Sequence, residues 1–171
     1  HRVACYRLAF RIICRQFPQY RHLLHHLRDV NARTLGVPPA WIYRILLCLP
    51  EQATRTDIAK LLPDENLSPF WAGHQGLGEN VNYPLRGVAM FGLAEAERSR
   101  AYADLLRKGD INEIGRLMRC SHDGDRVVSF GQDGKAQPYS SPVDNSKLLQ
   151  LMDDLSSGEP ERVMAAQLRY Q

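Results

Sequence analysis

At 171 residues the chain is long enough for one domain that buries roughly 70% of its unfolded surface, so core size is not limiting. Its 22 basic and 19 acidic residues leave a net charge of +3 with both signs scattered, which speaks against an electrostatic track for nucleic acid. No apolar run approaches the roughly 18 residues of a membrane span, and no charged-then-apolar leader opens the chain, so a cytoplasmic protein with no membrane partner is expected.

From Arg2 to Phe17 the apolar residues Val3, Tyr6, Phe10, Ile13, Cys14 and Phe17 recur three and four apart, while Arg7, Arg11 and Arg15 line another face. That pattern predicts an amphipathic helix ended by Pro18. A second helical run is expected through Tyr20, Leu23, Leu24 and Leu27. Gly36-Val37-Pro38-Pro39 breaks it, and proline suits the start of a new helix because its missing N–H would be unpaired there anyway. Trp41, Ile45, Leu46 and Leu49 carry that helix to Pro50. Thr54 and Asp57 have capping-box spacing ahead of a short helix with Ile58, Leu61 and Leu62.

The stretch 63–84 is rich in glycine, proline and asparagine, has no clean period, and reads as an irregular linker between a helical segment at 1–62 and a second helical part at 85–171. Leu93, Tyr102, Leu105 and Leu106 mark a long helix that Lys108-Gly109 closes. Asp110 caps the next one, with Ile111, Ile114, Leu117 and Met118 as its expected buried stripe. Val127-Val128-Ser129-Phe130 is β-prone and Asp133-Gly134 is a turn signal, which predicts at most one small β-hairpin near 126–139. Two helices finish the chain, one over about 144–155 and one opened by Pro160. The fold class is therefore mainly α. His1 already stands in helical pattern and Gln171 follows closely on Leu168, so a piece of a longer protein is expected.

Four constellations could carry chemistry. His22, His25 and His26 have helical spacing, but no third ligand completes a metal site, and an exposed basic face is the better reading. Gly76-Leu77-Gly78 could cradle a phosphate, yet no strand precedes it and no lysine completes a P-loop. Ser121-His122-Asp123 cannot form a relay, because consecutive side chains do not point at one another; a helix end is the simpler reading. Arg98, Arg100, Arg107, Arg116 and Arg119 read as a solvated face. The widely spaced Cys5, Cys14, Cys48 and Cys120 read as reduced thiols.

One stretch goes further. Glu95-Ala-Glu-Arg98, then Gly109-Asp110, Gly115-Arg-Leu-Met118 and Ser121-His122 resemble, in order and spacing, the helical segment of galactokinases and their relatives among the GHMP small-molecule kinases. The opening Arg2-Val3-Ala4-Cys5 is similar to the segment after that family's sugar-contacting tyrosine-asparagine pair. The likeness is specific over about 86–126 and departs at Met90 and Phe91, where the family has arginine and histidine. It departs again at Asp123-Gly124-Asp125, where the family continues with Ser-Leu-Arg. The resemblance implies a helical fragment of an α+β kinase, with 85–171 as the truncated helical part of its C-terminal domain. The intact protein would phosphorylate the anomeric hydroxyl of a galactose-like sugar with ATP and Mg²⁺.

The family's sugar signature, serine-rich phosphate loop and late glycine-rich loop have no counterpart in these residues. The resemblance therefore implies no catalytic residue, no cofactor and no activity in the isolated chain. Ser121 and His122 would lie nearest the phosphates and Arg2 near the sugar. The rival expectation is a non-enzymatic helical interaction module. RNA binding by the basic first helices lacks an evident aromatic stacking platform.

Overall fold

The computed structural model describes residues 1–72, 81–139 and 141–171. Helix α1 spans Arg2–Gln16 and sends Cys5, Leu8, Ala9, Ile12 and Ile13 into the core, the buried positions of a 3.6-residue period. Pro18 ends it, and the Phe17 N–H closes on the Ile13 carbonyl.

The expected second helix is absent. Two single 3-10 turns, Pro18–Tyr20 and Leu27–Asp29, stand in its place. The Asp29 carboxylate accepts the backbone N–H groups of His25 at 2.9 Å and His26 at 2.7 Å, and this local bonding competes with helix continuation. The three histidines consequently share no helix face.

Short helices follow. In α2, Ala32–Leu35, the Asn31 side chain accepts from the Thr34 N–H, and Gly36 stops the turn at φ 64°. Helix α3 covers Ala40–Leu46 after the proline pair. Helix α4, Arg55–Leu61, has the reciprocal Thr54–Asp57 capping box that the spacing predicts. Inside the stretch 63–84 the chain makes one short helix, α5, Ser68–Trp71. Tyr83 then pairs with Ala53 in both directions, N–H to carbonyl at 2.8 and 3.1 Å, and so ties the end of this stretch to the segment before α4.

Helix α6 is the axis of the molecule. It runs unbroken over Leu85–Lys108, 24 residues, and ends at Gly109 with φ 70°, where a side chain would be strained. Helix α7, Ile111–Gly124, starts on the Asp110 carboxylate, which accepts the Glu113 N–H at 3.1 Å. Strands β1, Val128–Phe130, and β2, Ala136–Pro138, form the expected antiparallel hairpin around Gly134 at φ 73°. Helices α8, Asn145–Ser156, and α9, Pro160–Ala165, precede a final 3-10 turn at Leu168–Tyr170. The protein is mainly helical with one small sheet among the described residues, as the sequence predicts.

Helix α6 packs against α1, α7, the 3-10 turn at Leu27–Asp29 and the last turn of the chain, while α3 packs on α8. One contiguous cluster, with Leu8, Ile12, Ile45, Leu46, Leu85 and Leu93 fully or nearly fully buried, joins these contacts. Each such side chain stabilises the fold by about 1.5–3 kcal/mol relative to exposure. Several buried polar groups are matched, although Trp41 Nε1 and Arg169 Nε have no hydrogen-bond partner among the described residues. Tyr43 Oη donates to the Ala166 carbonyl at 2.7 Å. Arg86 donates from Nε to the Leu49 carbonyl at 2.8 Å and from Nη1 to the Val143 carbonyl at 3.0 Å. It thereby satisfies carbonyls beyond α3 that no helical N–H reaches.

Candidate functional site

The three residues singled out by resemblance sit on two elements, α1 and α7. Arg2 is the first residue of α1, and Ser121 and His122 lie in the last turn of α7. Arg2 Nη1 donates to Asp125 Oδ1, just past the end of α7, and the guanidinium stands 5.5 Å from the centre of the Phe91 ring on α6. The hydrogen bond to Asp125 raises the Arg2 pKa further above its already high ordinary value. Arg2 is thus brought to the end of the helix that carries Ser121 and His122. Among the described residues no hydrogen bond or ion pair joins it to either residue. Ser121 is half-buried and His122 exposed.

The helices meet here through small residues. A methyl group on Gly92 would lie 2.5 Å from Tyr6 Cε1, and one on Gly124 would lie 3.0 Å from the Phe91 ring. Both glycines therefore permit close approach, Gly92 of α6 to α1 and Gly124 of α7 to α6. Sequence reasoning missed Tyr6, Gly92, Gly124 and Asp125. The available signal was two glycines in otherwise strong helix-forming runs, which argues for packing or close approach.

One turn along α6 from Phe91 lies the Glu-x-x-Arg motif. Arg98 has no exposed surface. It donates from Nε to Glu95 Oε1 at 2.7 Å and from Nη1 to the carbonyls of Arg169 at 2.8 Å and Gln171 at 3.0 Å. Its Nη2 also approaches Glu95 Oε1 at 2.6 Å, as an ion-pair contact without hydrogen-bond alignment. The expectation that Arg98 belongs to a solvated arginine face is overturned: burial of the alkyl stem and the need to satisfy terminal carbonyls draw it inside. Arg100, Arg107 and Arg119 do lie on exposed positions, and Arg116 is half-buried with its guanidinium 4.3 Å from the Tyr170 ring centre.

Half of the stripe expected to bury α7 is open, with Ile114 half-buried. Leu117 is buried, but Ile111 and Met118 are 67% and 61% exposed, because α7 packs mainly on α6 and the last turn of the chain among the described residues. Phe130 on the hairpin is 75% exposed.

Electrostatics at Ser121 and His122 disfavour a lone phosphate. A helix C-terminus carries the negative end of the macrodipole, and Asp123 and Asp125 flank the turn. These residues do not by themselves fit a nucleotide triphosphate. No group of three or more histidine, cysteine or acidic side chains is placed to hold a metal ion among the described residues. The Gly76-Leu77-Gly78 candidate lies outside the described residues. All four cysteines are free thiols. Burial pushes Cys5 up to about 11 and Cys48 up to about 12, which keeps them protonated and unreactive near neutrality. No helix among the described residues is long and apolar enough to cross a membrane. No family model, curated protein or solved structure matches the chain.

Proposed function

We propose that the chain is the helical part of an ATP-dependent sugar 1-kinase of the galactokinase-like GHMP class. In the intact protein the anomeric hydroxyl of a galactose-like sugar would take the γ-phosphoryl group of ATP, with Mg²⁺ neutralising the phosphates and ADP leaving. One observation carries the reading: the two stretches that resemble the family, far apart in sequence, adjoin in space. Arg2 of the opening segment pairs with Asp125 and stands over Phe91, so that the α1 start meets the α6–α7 segment.

The motif residues have physical work that fits a rigid wall. Glu95 and Arg98 lock α6 to the last turn, Gly109 ends α6 in the left-handed region, Asp110 starts α7, and Leu117 is the buried contact of α7. The chain itself contributes positioning. Ser121, His122 and Arg2 stand at its edge as supporting groups, and the phosphates and the base belong to segments outside these residues. The test is the gene on either side of this sequence. The reading requires a serine-rich Gly-Leu-Ser-Ser-Ser-Ala loop upstream and a Gly-Gly-Gly-Phe-Gly-Gly loop downstream; flanks encoding neither would overturn it.

The exposed Ile111, Met118 and Phe130 also favour a second reading, a helical interaction module without enzymatic ancestry. The same flanking sequence separates the two, because a module needs no phosphate loop.

A further inference from the structure

The arginine face of α1 is exposed and borders a cleft. Arg7, Arg11 and Arg15, one turn and roughly 6 Å apart, form one wall of a cleft of about 810 Å³. Arg21, from the turn that replaced the expected second helix, lines the same cleft, as do His25 and His26. Four guanidiniums therefore line a cleft in which Glu65 is the one carboxylate among the described residues. That carboxylate lies 3.8 Å from Arg11, and Asp64 pairs with Arg15 at 3.0 Å. Among the described residues neither Arg7 nor Arg21 has an ion-pair partner. The same cleft is lined by the half-buried rings of Tyr6, Phe10 and Phe70, so the basic surface is interleaved with aromatic faces that the sequence did not reveal.

We propose that this cleft binds an organic phosphate, a small molecule in which a phosphate is joined to a flat or apolar ring. Unpaired cations in a concave, partly apolar setting concentrate the local field and attract an anion. Guanidinium matches phosphate with paired N–H donors, and aromatic side chains cover the ring of a base or the apolar face of a sugar. The volume is that of a small-molecule site. Nucleotides and sugar phosphates share this chemistry, and both would place the phosphate on Arg7 and Arg21 with the ring towards Phe10 and Phe70. The assignment does not depend on the kinase reading: the cleft lies within the 171 residues and its occupancy needs no phosphate loop.

Titration calorimetry of the purified chain with AMP, a hexose 1-phosphate and inorganic phosphate distinguishes the sources. At least one organic phosphate should bind more tightly than inorganic phosphate, with affinity that falls as salt is raised. Arg7→Glu and Arg21→Glu should each weaken that binding by about tenfold or more, as loss of a charge-assisted bond requires. Arg33→Glu, at an exposed position outside the cleft, should leave it unchanged. Arg7→Gln and Arg21→Gln, checked by circular dichroism, serve where charge reversal disturbs folding. Failure of all three ligands to bind, equal binding of inorganic phosphate, or insensitivity to the Arg7 and Arg21 substitutions would overturn the proposal.

Discussion

The Arg98 guanidinium donates to Glu95 one turn behind it on α6, at 2.7 Å, while its other end holds the carbonyls of the last turn of the chain. A buried cation held this way is costly to strip of partners. Breaking a buried pair by removing one partner costs about 3–5 kcal/mol. Because Glu95 stays 37% exposed to water, the loss in Arg98→Ala comes from the Arg169 and Gln171 carbonyls left without a donor, and unfolding stability in urea titration should fall by about 1–3 kcal/mol. Glu95→Gln leaves the buried Arg98 cation without its counter-charge and should also destabilise measurably, and a negligible loss for both variants would contradict the assignment.

Gly92 is where α6 closes on α1. Alanine normally improves a helix interior by roughly 1 kcal/mol over glycine. Here the added methyl would meet Tyr6 Cε1 at 2.5 Å and Cδ1 at 3.1 Å, so Gly92→Ala should destabilise by about 1–2 kcal/mol through overpacking. In a Tyr6→Ala background the same substitution should become stabilising. A double-mutant cycle by denaturant unfolding measures the sign change, and additive effects would show that the two helices do not touch at this point.

Stability should fall in alkali. The folded thiols of Cys5 and Cys48 ionise only at about 11 and about 12, against an ordinary value of 9.0, and burial also raises the Tyr43 hydroxyl above its ordinary 10.0. Because the folded values are raised, the unfolded chain loses these protons first. The associated stability is fully present below about pH 9 and is lost as pH rises towards the folded values. Unfolding free energies measured across that interval should decline. Cys48→Ala should flatten the decline, and an unchanged slope would remove this thiol as a contributor.

The open face of α7 gives a prediction of opposite kind. Ile111→Lys and Met118→Lys should each change stability by less than about 0.5 kcal/mol, as expected of exposed sites. Together they should reduce binding of a dye specific for apolar surface. Losses of several kcal/mol would mean that α7 is packed on this side.

Local chemistry was the legible part of this fold. Proline and glycine punctuation located the ends of α1 and α6, the Thr54–Asp57 and Asp110–Glu113 spacings located helix starts, and Asp133-Gly134 located the hairpin. The region from Tyr20 to Leu27 misled because its apolar spacing is helical, while Asp29 captures the backbone N–H groups of His25 and His26 and holds the chain in turns. Burial on α7 misled for a different reason. Periodicity shows that a helix has an apolar face but not whether this chain supplies anything to cover it.

At the candidate site the order of motifs was visible and their joining was not. Arg2 and Asp125 meet only because α6 brings α1 and α7 together, a tertiary fact no local pattern encodes. The basic cleft was hidden likewise: Arg7, Arg11 and Arg15 are visible as a stripe, but Arg21 reaches it from a turn and Phe70 from the short helix α5.

The most direct measurement is ADP formation by the protein expressed from its whole gene, supplied with ATP, Mg²⁺ and hexoses of galactose configuration, with the 171-residue chain assayed beside it. Sugar-dependent ADP release with phosphate on the anomeric oxygen, absent from the 171 residues alone, is the predicted result. A whole-gene product that folds and releases no ADP with any such sugar, or turnover by the 171 residues alone, would contradict the account.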